Sequence, residues 1–442
     1  MFKRNIIRQL SQWKDKKDRK PLILSGARQI GKTWVLKEFG KEYFDEVAYF
    51  SLDKDSSICQ LFQTTKDPKR LLPQLSLLCG SEIKPQTTLV ILDEIQECPD
   101  ALQSLKYFCE ETPQYAVVCA GSLLGVYLNH ENQSFPVGKV DHLSMYPLTF
   151  SEYLELYDTK LYAYYQQIDK AEPIAQIFFD KLKEAYLSYC ICGGMPEVSM
   201  CMIDNNDIAS VESKLGKILN DYSRDFIKHT KPVLANRIDQ IWQSLPSQLA
   251  RENRKFVYQL VRPGARAREY EDALTWLHRA GLIYKVNALT KPSLPLKAYD
   301  DLSAFKIYSL DMGILRRLAE MDASLYYNNS PVFSEFKGAL AENAVLHSLV
   351  TQFGKSLRYW SSEYKAEVDF LIVVDNEIIP IEVKADTNVS GKSIIQYEKE
   401  FHPKLRIRYS MLNLKLDGNM LNIPLFLADK TKNFIEDVKS LW

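Results

Sequence analysis

Three groups of residues in this chain have types and spacings that can do chemistry. Gly26-Ala27-Arg28-Gln29-Ile30-Gly31-Lys32-Thr33 fits the pattern GxxxxGK[ST]. Glycines at both ends let such a loop curl until successive N–H groups face phosphate oxygens, the following helix adds its positive end, and Lys32 adds a full charge. Thr33 is then the natural magnesium ligand. Asp93-Glu94 closes the apolar run Thr88-Leu89-Val90-Ile91-Leu92. Asp93 is placed there to hold the magnesium shell and Glu94 to polarise an attacking water. Either carboxylate alone reads better as a helix N-cap, but with the upstream loop the pair implies binding and hydrolysis of ATP with Mg2+. The third group, Asp369, Glu382 and Lys384, sets two acids and a lysine in a D…ExK arrangement.

The elements that must position the first two groups are legible. Pro21-Leu22-Ile23-Leu24-Ser25 reads as a buried strand, and Lys32 to Phe39 as a helix ended by Gly40. Val47–Ser51, Thr88–Leu92 and Tyr115–Ala120 read as further strands separated by helical sequence. A parallel sheet follows, with the loop, the acids and Gly121-Ser122 at its carboxyl ends, where ligands bind. Ser122 can reach a γ-phosphate or the water, and turn chemistry explains Gly-Ser about as well.

The third group depends on a hairpin. Residues 366–374 and 378–385 alternate in polarity around Asp375-Asn376-Glu377, and Asp-Asn adopts the positive φ angles of a tight turn. With Asp375-Asn376 as the loop, Phe370 falls opposite Ile381, Ile372 opposite Ile379 and Val368 opposite Val383 on one apolar face. On the other face Asp369 meets Glu382 and Glu367 meets Lys384. Two carboxylates across a ladder repel unless a cation lies between them, which points to a metal. The competing reading is a surface hairpin in which Lys384 neutralises Glu367 and Glu382.

Between these regions, Phe150 to about Ile227 has helical spacing rich in Tyr, Leu, Lys and Glu, a helical lid with its tyrosines in the core. Farther on, Tyr270 to Tyr284 runs from a helix through Gly281 into a strand, like the recognition helix and wing of a winged-helix segment. Just before it, Arg254, Lys255, Arg262, Arg266 and Arg268 stand with no acidic residue among them. That cluster can contact DNA or RNA phosphates, or be a solvated face.

Composition bounds the rest. Lys+Arg and Asp+Glu are equal at 56 each in 442 residues, so affinity for a polyanion must be local. The eight cysteines form no CxxC pair and read as thiols of a reducing cytoplasm. The basic start lacks the apolar core of a signal peptide, and the longest nearly apolar stretch, Tyr115 to Leu128, is too short to cross a bilayer. A cytoplasmic protein without a membrane partner is expected.

Gly26–Thr33, Leu92-Asp93-Glu94-Ile95-Gln96, Ala120-Gly121-Ser122, Tyr146 to Tyr153 and Gly193-Gly194-Met195-Pro196-Glu197 recur in this order in one large prokaryotic family. From about residue 18 to about 430 the chain resembles AAA+-type P-loop ATPases carrying the domain DUF4143, relatives of the archaeal STAND-like ATPases. The resemblance implies an α/β fold with a P-loop ATPase core over 1–150, a lid over 151–235, a winged helix over 236–300 and a restriction-endonuclease-like domain over 301–442. Family members often carry Gly-Arg where this chain has Gly138-Lys139, and lysine lacks the planar fork that grips a γ-phosphate. The last domain resembles PD-(D/E)xK nucleases, with Glu342 of the helix around 338–350 joining Asp369 and Glu382. In that fold the acids bind magnesium, and Lys384 helps activate water and stabilise phosphate. Two functions fit: ATP gating a nucleic-acid-directed domain, or an ATP-driven switch that docks a protein partner, or a second copy, and cuts nothing.

Overall fold

The structure is a computed structural model describing residues 4–122, 124–127, 136–251, 253–323, 334–362 and 366–441. The chain divides into two compact units, Met1–Tyr146 with Arg279–Gly281, and Pro147–His278 with Leu282–Trp442. Among the described residues no helix is long and apolar enough to cross a membrane; Leu128, the end of the longest apolar stretch, lies outside them.

The first unit is built on β1 (Leu22–Ser25), β2 (Glu46–Ser51), β3 (Thr88–Asp93), β4 (Ala116–Gly121) and β5 (Asp141–Ser144), in the order β2-β3-β4-β1-β5 with every pair parallel. β3 and β4 are buried along their whole length, which is why they read as unbroken apolar runs rather than alternating ones. The crossover helices start cleanly: Asp55 and Asp67 each cap the next helix, and Pro68 occupies the first turn of the second, where its missing N–H costs nothing. Gly40 departs from expectation. The helix runs from Lys32 through Gly40 to Tyr43, and a Cβ at Gly40 would lie 2.5 Å from Val47 Cγ2. This glycine lets β2 pack close; it does not end the helix.

The second unit begins with helices Phe150–Tyr157, Thr159–Gln167, Gln176–Cys192, Pro196–Asn205, Ile208–His229 and Pro232–Leu249. Two of the motif pieces knot together here. Leu148 N–H donates to Gly194 O at 2.7 Å, Gly194 N–H to Asp311 Oδ2 at 2.6 Å, and Tyr189 OH to Leu148 O at 2.8 Å. A Cβ at Gly194 would stand 2.1 Å from Leu148 O, so only glycine allows this approach. Thr149 and Glu152 form a capping box, and Asp429 accepts from Ser151 N–H at 2.7 Å, which ties the helices to the chain's last segment.

The unit's sheet holds β6 (Ile283–Leu289), β7 (Asp300–Ser309), β8 (Arg358–Ser361), β9 (Glu367–Val374), β10 (Glu377–Val383), β11 (Arg406–Ser410), β12 (Lys415–Asp417) and β13 (Met420–Pro424). Its order is β12-β13-β11-β10-β9-β8-β6-β7. The helix Ala267–Arg279 does stop before Gly281, but β6, expected as a wing, is an inner strand pairing antiparallel with β7 and parallel with β8. Its seven residues find their partners in the long C-terminal sheet, a pairing that local sequence does not record. The β9–β10 register is the expected one, from Glu377↔Val374 to Ile381↔Phe370, and Asp375 and Asn376 have φ of 49° and 65°.

Candidate functional site

The strand order sets the first site. β4 lies between β1, which leads into the loop, and β3, which carries the acids, so β1 and β3 stand roughly 10 Å apart. Across that gap Thr33 Oγ1, in the first turn of its helix, donates to Asp93 Oδ2 at 2.7 Å. Ser122 follows β4 between them. The loop is shaped by Gly26, Gln29 and Gly31, with φ of 156°, 66° and 90°. A Cβ at Gly26 would meet Met145 O at 2.4 Å. Ala27 and Ile30 are buried while Arg28 is exposed. Arg4 is buried beneath, donating to Ile30 O at 3.0 Å and Tyr146 O at 2.6 Å.

Lys32 folds back into the cradle, donating to Gly26 O at 2.9 Å and Ala27 O at 2.7 Å. Burial pushes its ammonium down to about 8, against the pull of Glu94 and Asp93. A charged amine held only by carbonyls, within a ring of backbone curled by left-handed residues, suits phosphate oxygens. Asp93 is also buried, and besides Thr33 it accepts from Tyr49 OH at 3.0 Å. Burial raises that phenol to about 12. Two hydroxyls and a carboxylate, with no ammonium or guanidinium bonded to the acid, form a donor set suited to Mg2+. Glu94 sits at φ 53° and accepts from Gln96 Nε2 at 2.6 Å. Gln96 Oε1 is buried with no hydrogen-bond partner among the described residues.

Tyr49, Gln96 and Arg4 escaped the sequence reading. Ser51 pairs with Asp93 and Tyr49 with Ile91, so Tyr49 is the diagonal neighbour of Asp93 on one face; the signal existed, but only once the register was known. Lys139 is placed against a role in this chain's own site. It precedes β5, whose first residue pairs with Leu22 at the amino end of β1, and its Nζ lies 2.8 Å from Glu110 Oε1. The loop is at the other end of that strand.

The C-terminal acids are arranged differently. Asp369 and Glu382 are buried on neighbouring strands, and Asp369 helps raise the Glu382 carboxyl, whose shift comes first from burial and is opposed by Lys384. Asp369 Oδ2 accepts Val383 N–H at 2.8 Å, and Lys384 Nζ lies 3.1 Å from Glu382 Oε1. Among the described residues Glu382 Oε2 has no hydrogen-bond partner. Glu367 is paired by the fully buried Lys306, not by Lys384. Glu342 has both oxygens engaged, Oε1 by the Arg254 guanidinium and Oε2 by Tyr308 OH at 3.0 Å. Two expectations are corrected by this. Among the described residues no three His, Cys, Asp or Glu side chains group to hold a metal ion, so Glu342, Asp369 and Glu382 do not fit one as they stand: Arg254 pairs Glu342 and Lys384 pairs Glu382, while Asp369 accepts the Val383 N–H. Arg254 is not on the basic surface, while Lys255, Arg262, Arg266 and Arg268 are exposed.

Comparison with known proteins bears on the first unit. Residues 18–154 match the family model "AAA domain", 183–325 a domain of unknown function, DUF8612, and 337–426 another, DUF4143. No curated protein matches the chain. Among solved structures it is similar to a Walker-type ATPase of Pyrococcus abyssi, with 15% identity over 72% of this chain and 96% of that one at a TM-score of 0.45. It is also similar to Thermotoga maritima RuvB, with 14% identity over 63% and 88% at 0.29, and to AMPPCP-bound DnaA from Aquifex aeolicus, with 13% over 62% and 84% at 0.22. The loop, the acid pair and the match of residues 18–154 to the AAA domain together support an ATP-binding P-loop ATPase.

Proposed function

We propose that the chain hydrolyses ATP with Mg2+ and uses the cycle to control its C-terminal half. The observation that carries this reading is the 2.7 Å contact between Thr33 and Asp93, which joins loop and acid strand beside Glu94. Lys32 exchanges the Gly26 and Ala27 carbonyls for phosphate oxygens. Thr33 and Asp93 hold the ion, which when bound neutralises phosphate charge. Glu94, released by Gln96, orients the attacking water and takes its proton, and Ser122 faces the same phosphate. Glu94→Gln should leave ATP binding intact and lower steady-state turnover by roughly 10²–10⁴-fold. Wild-type turnover in that variant would overturn the assignment.

For the output, the D…ExK hairpin register and the exposed Lys255, Arg262, Arg266 and Arg268 support a nuclease-like fold that contacts DNA or RNA. Such contacts weaken steeply with salt. Binding of labelled duplex or single strand that does not change when these four residues are reversed to glutamate would contradict it. The second reading, a switch that docks a protein partner without cleavage, is favoured by the engagement of Glu342 with Arg254 and Tyr308.

A further inference from the structure

The cradle at Gly26–Thr33 is held from outside the residues that make it. Arg4 is 4% exposed, and a buried guanidinium is tolerated only where its N–H groups find acceptors. Its Nη1 donates to Ile30 O at 3.0 Å and its Nη2 to Tyr146 O at 2.6 Å. The first acceptor belongs to the loop itself. The second follows Met145, whose N–H donates to Ser25 O at 2.8 Å and whose carbonyl oxygen would lie 2.4 Å from a Cβ at Gly26. One guanidinium therefore ties the far end of the loop to the segment on which its near end rests.

The position of Arg4 is fixed in turn. Its carbonyl accepts from Ile7 N–H at 2.9 Å, in the first turn of the helix Ile6–Lys14. That helix buries Ile6, Leu10 and Trp13, and Trp13 Nε1 donates to Lys20 O at 2.8 Å, just ahead of β1. At the loop, Ile30 O and Gly31 N–H are the two sides of one planar trans peptide and point in opposite directions. A clamp on the carbonyl thus fixes the direction of the amide. It matters at this peptide because Gly31 has φ 90°, and a glycine adopts either sign of φ about as readily.

We propose that Arg4 is a positioning residue of the nucleotide site: by holding Ile30 O it aims Gly31 N–H at the phosphates of the nucleotide. The inference rests on the ATP-binding reading of the loop. Arg4, buried beneath that loop, acts through this one peptide, and an amide already turned toward its ligand spares the ordering cost of binding. Arg4 also lies ahead of residues 18–154, which match the AAA domain. The site therefore depends on a segment that the domain match leaves out.

The test uses the full chain and a fluorescent ATP analogue, with inorganic pyrophosphate as competitor. Arg4→Ala is expected to weaken the binding of both by roughly ten- to a hundredfold, the range for a lost hydrogen bond to a charged group. Dilute guanidinium chloride should restore affinity in Arg4→Ala at a concentration that leaves the wild type unchanged, and potassium chloride should not. A merely structural loss would not be refilled in this way. Arg4→Lys keeps the charge but cannot reach both carbonyls, and is expected to fall between Arg4→Ala and the wild type. A folded Arg4→Ala that binds as the wild type does would overturn the proposal. Full affinity in Arg4→Lys would overturn it too, since charge alone would then suffice. If Arg4→Ala does not fold, Arg4→Lys decides by the same criterion. Lys32→Ala separates the clamp from the reading beneath it. Loss of binding there, beside unchanged Arg4 variants, would refute the clamp and keep the ATP site; wild-type binding in Lys32→Ala would refute both.

Discussion

Asp93 and Asp369 are both aspartates buried on inner strands, and the protein treats them in opposite ways. Asp93 is met by two hydroxyls, Thr33 and Tyr49, while the Lys32 ammonium bonds backbone carbonyls. Beside Asp369, the carboxylates of Glu367 and Glu382 are paired by Lys306 and Lys384, with Arg408 adding positive charge near Glu382, and Arg254 pairs Glu342. A buried charge must be compensated. Where the chain supplies hydroxyls and the Glu94 N–H but no bonded cation, the compensation is left to a ligand cation; where it supplies its own cations, the carboxylates are paired as folded, with Glu382 Oε2 left open among the described residues.

The comparison can be broken at either end. The largest effect is expected from Lys306→Met, which leaves the half-buried Glu367 without its partner and should cost up to roughly 3–5 kcal/mol in urea unfolding. Asp93→Asn, removing an acid that no protein cation pairs, should stay within about 1 kcal/mol. Equal costs at the two sites would erase the distinction drawn here. Next in size, Lys32→Ala should cost on the order of 3 kcal/mol in ATP binding, more than a hundredfold by calorimetry. The smallest effect sharpens the role of Lys32 through pH. Its ammonium lies near 8 in the loop as it stands, and phosphate contact raises it, so binding takes up a proton. ATP affinity should be full below pH 8 and fall by up to about tenfold per pH unit above it. Titrations near pH 9 in buffers of different ionisation enthalpy should show that uptake; a flat profile would remove Lys32 as the titrating group.

The ATPase site was legible because its chemistry is local. Eight consecutive residues make the loop, and an unbroken apolar strand announces Asp93-Glu94. The β9–β10 hairpin was legible for the same reason, since two turn residues with positive φ determine every later pair. What escaped depends on contacts distant in sequence. Arg254 reaches Glu342 and Lys306 reaches Glu367 across pairings that no short window contains, so Arg254 read as surface charge and Glu342 as a metal ligand. β6 read as a wing because its partner β8 lies some seventy residues on. Gly40 read as a helix stop because the packing of Val47 against it is not local to the helix.

The most direct test counts divalent ions. Mn2+ bound to the full chain with a non-hydrolysable ATP analogue should reach a single equivalent, lost in Asp93→Asn and unchanged in Asp369→Asn. An equivalent that survives Asp93→Asn and disappears in Asp369→Asn would contradict the account.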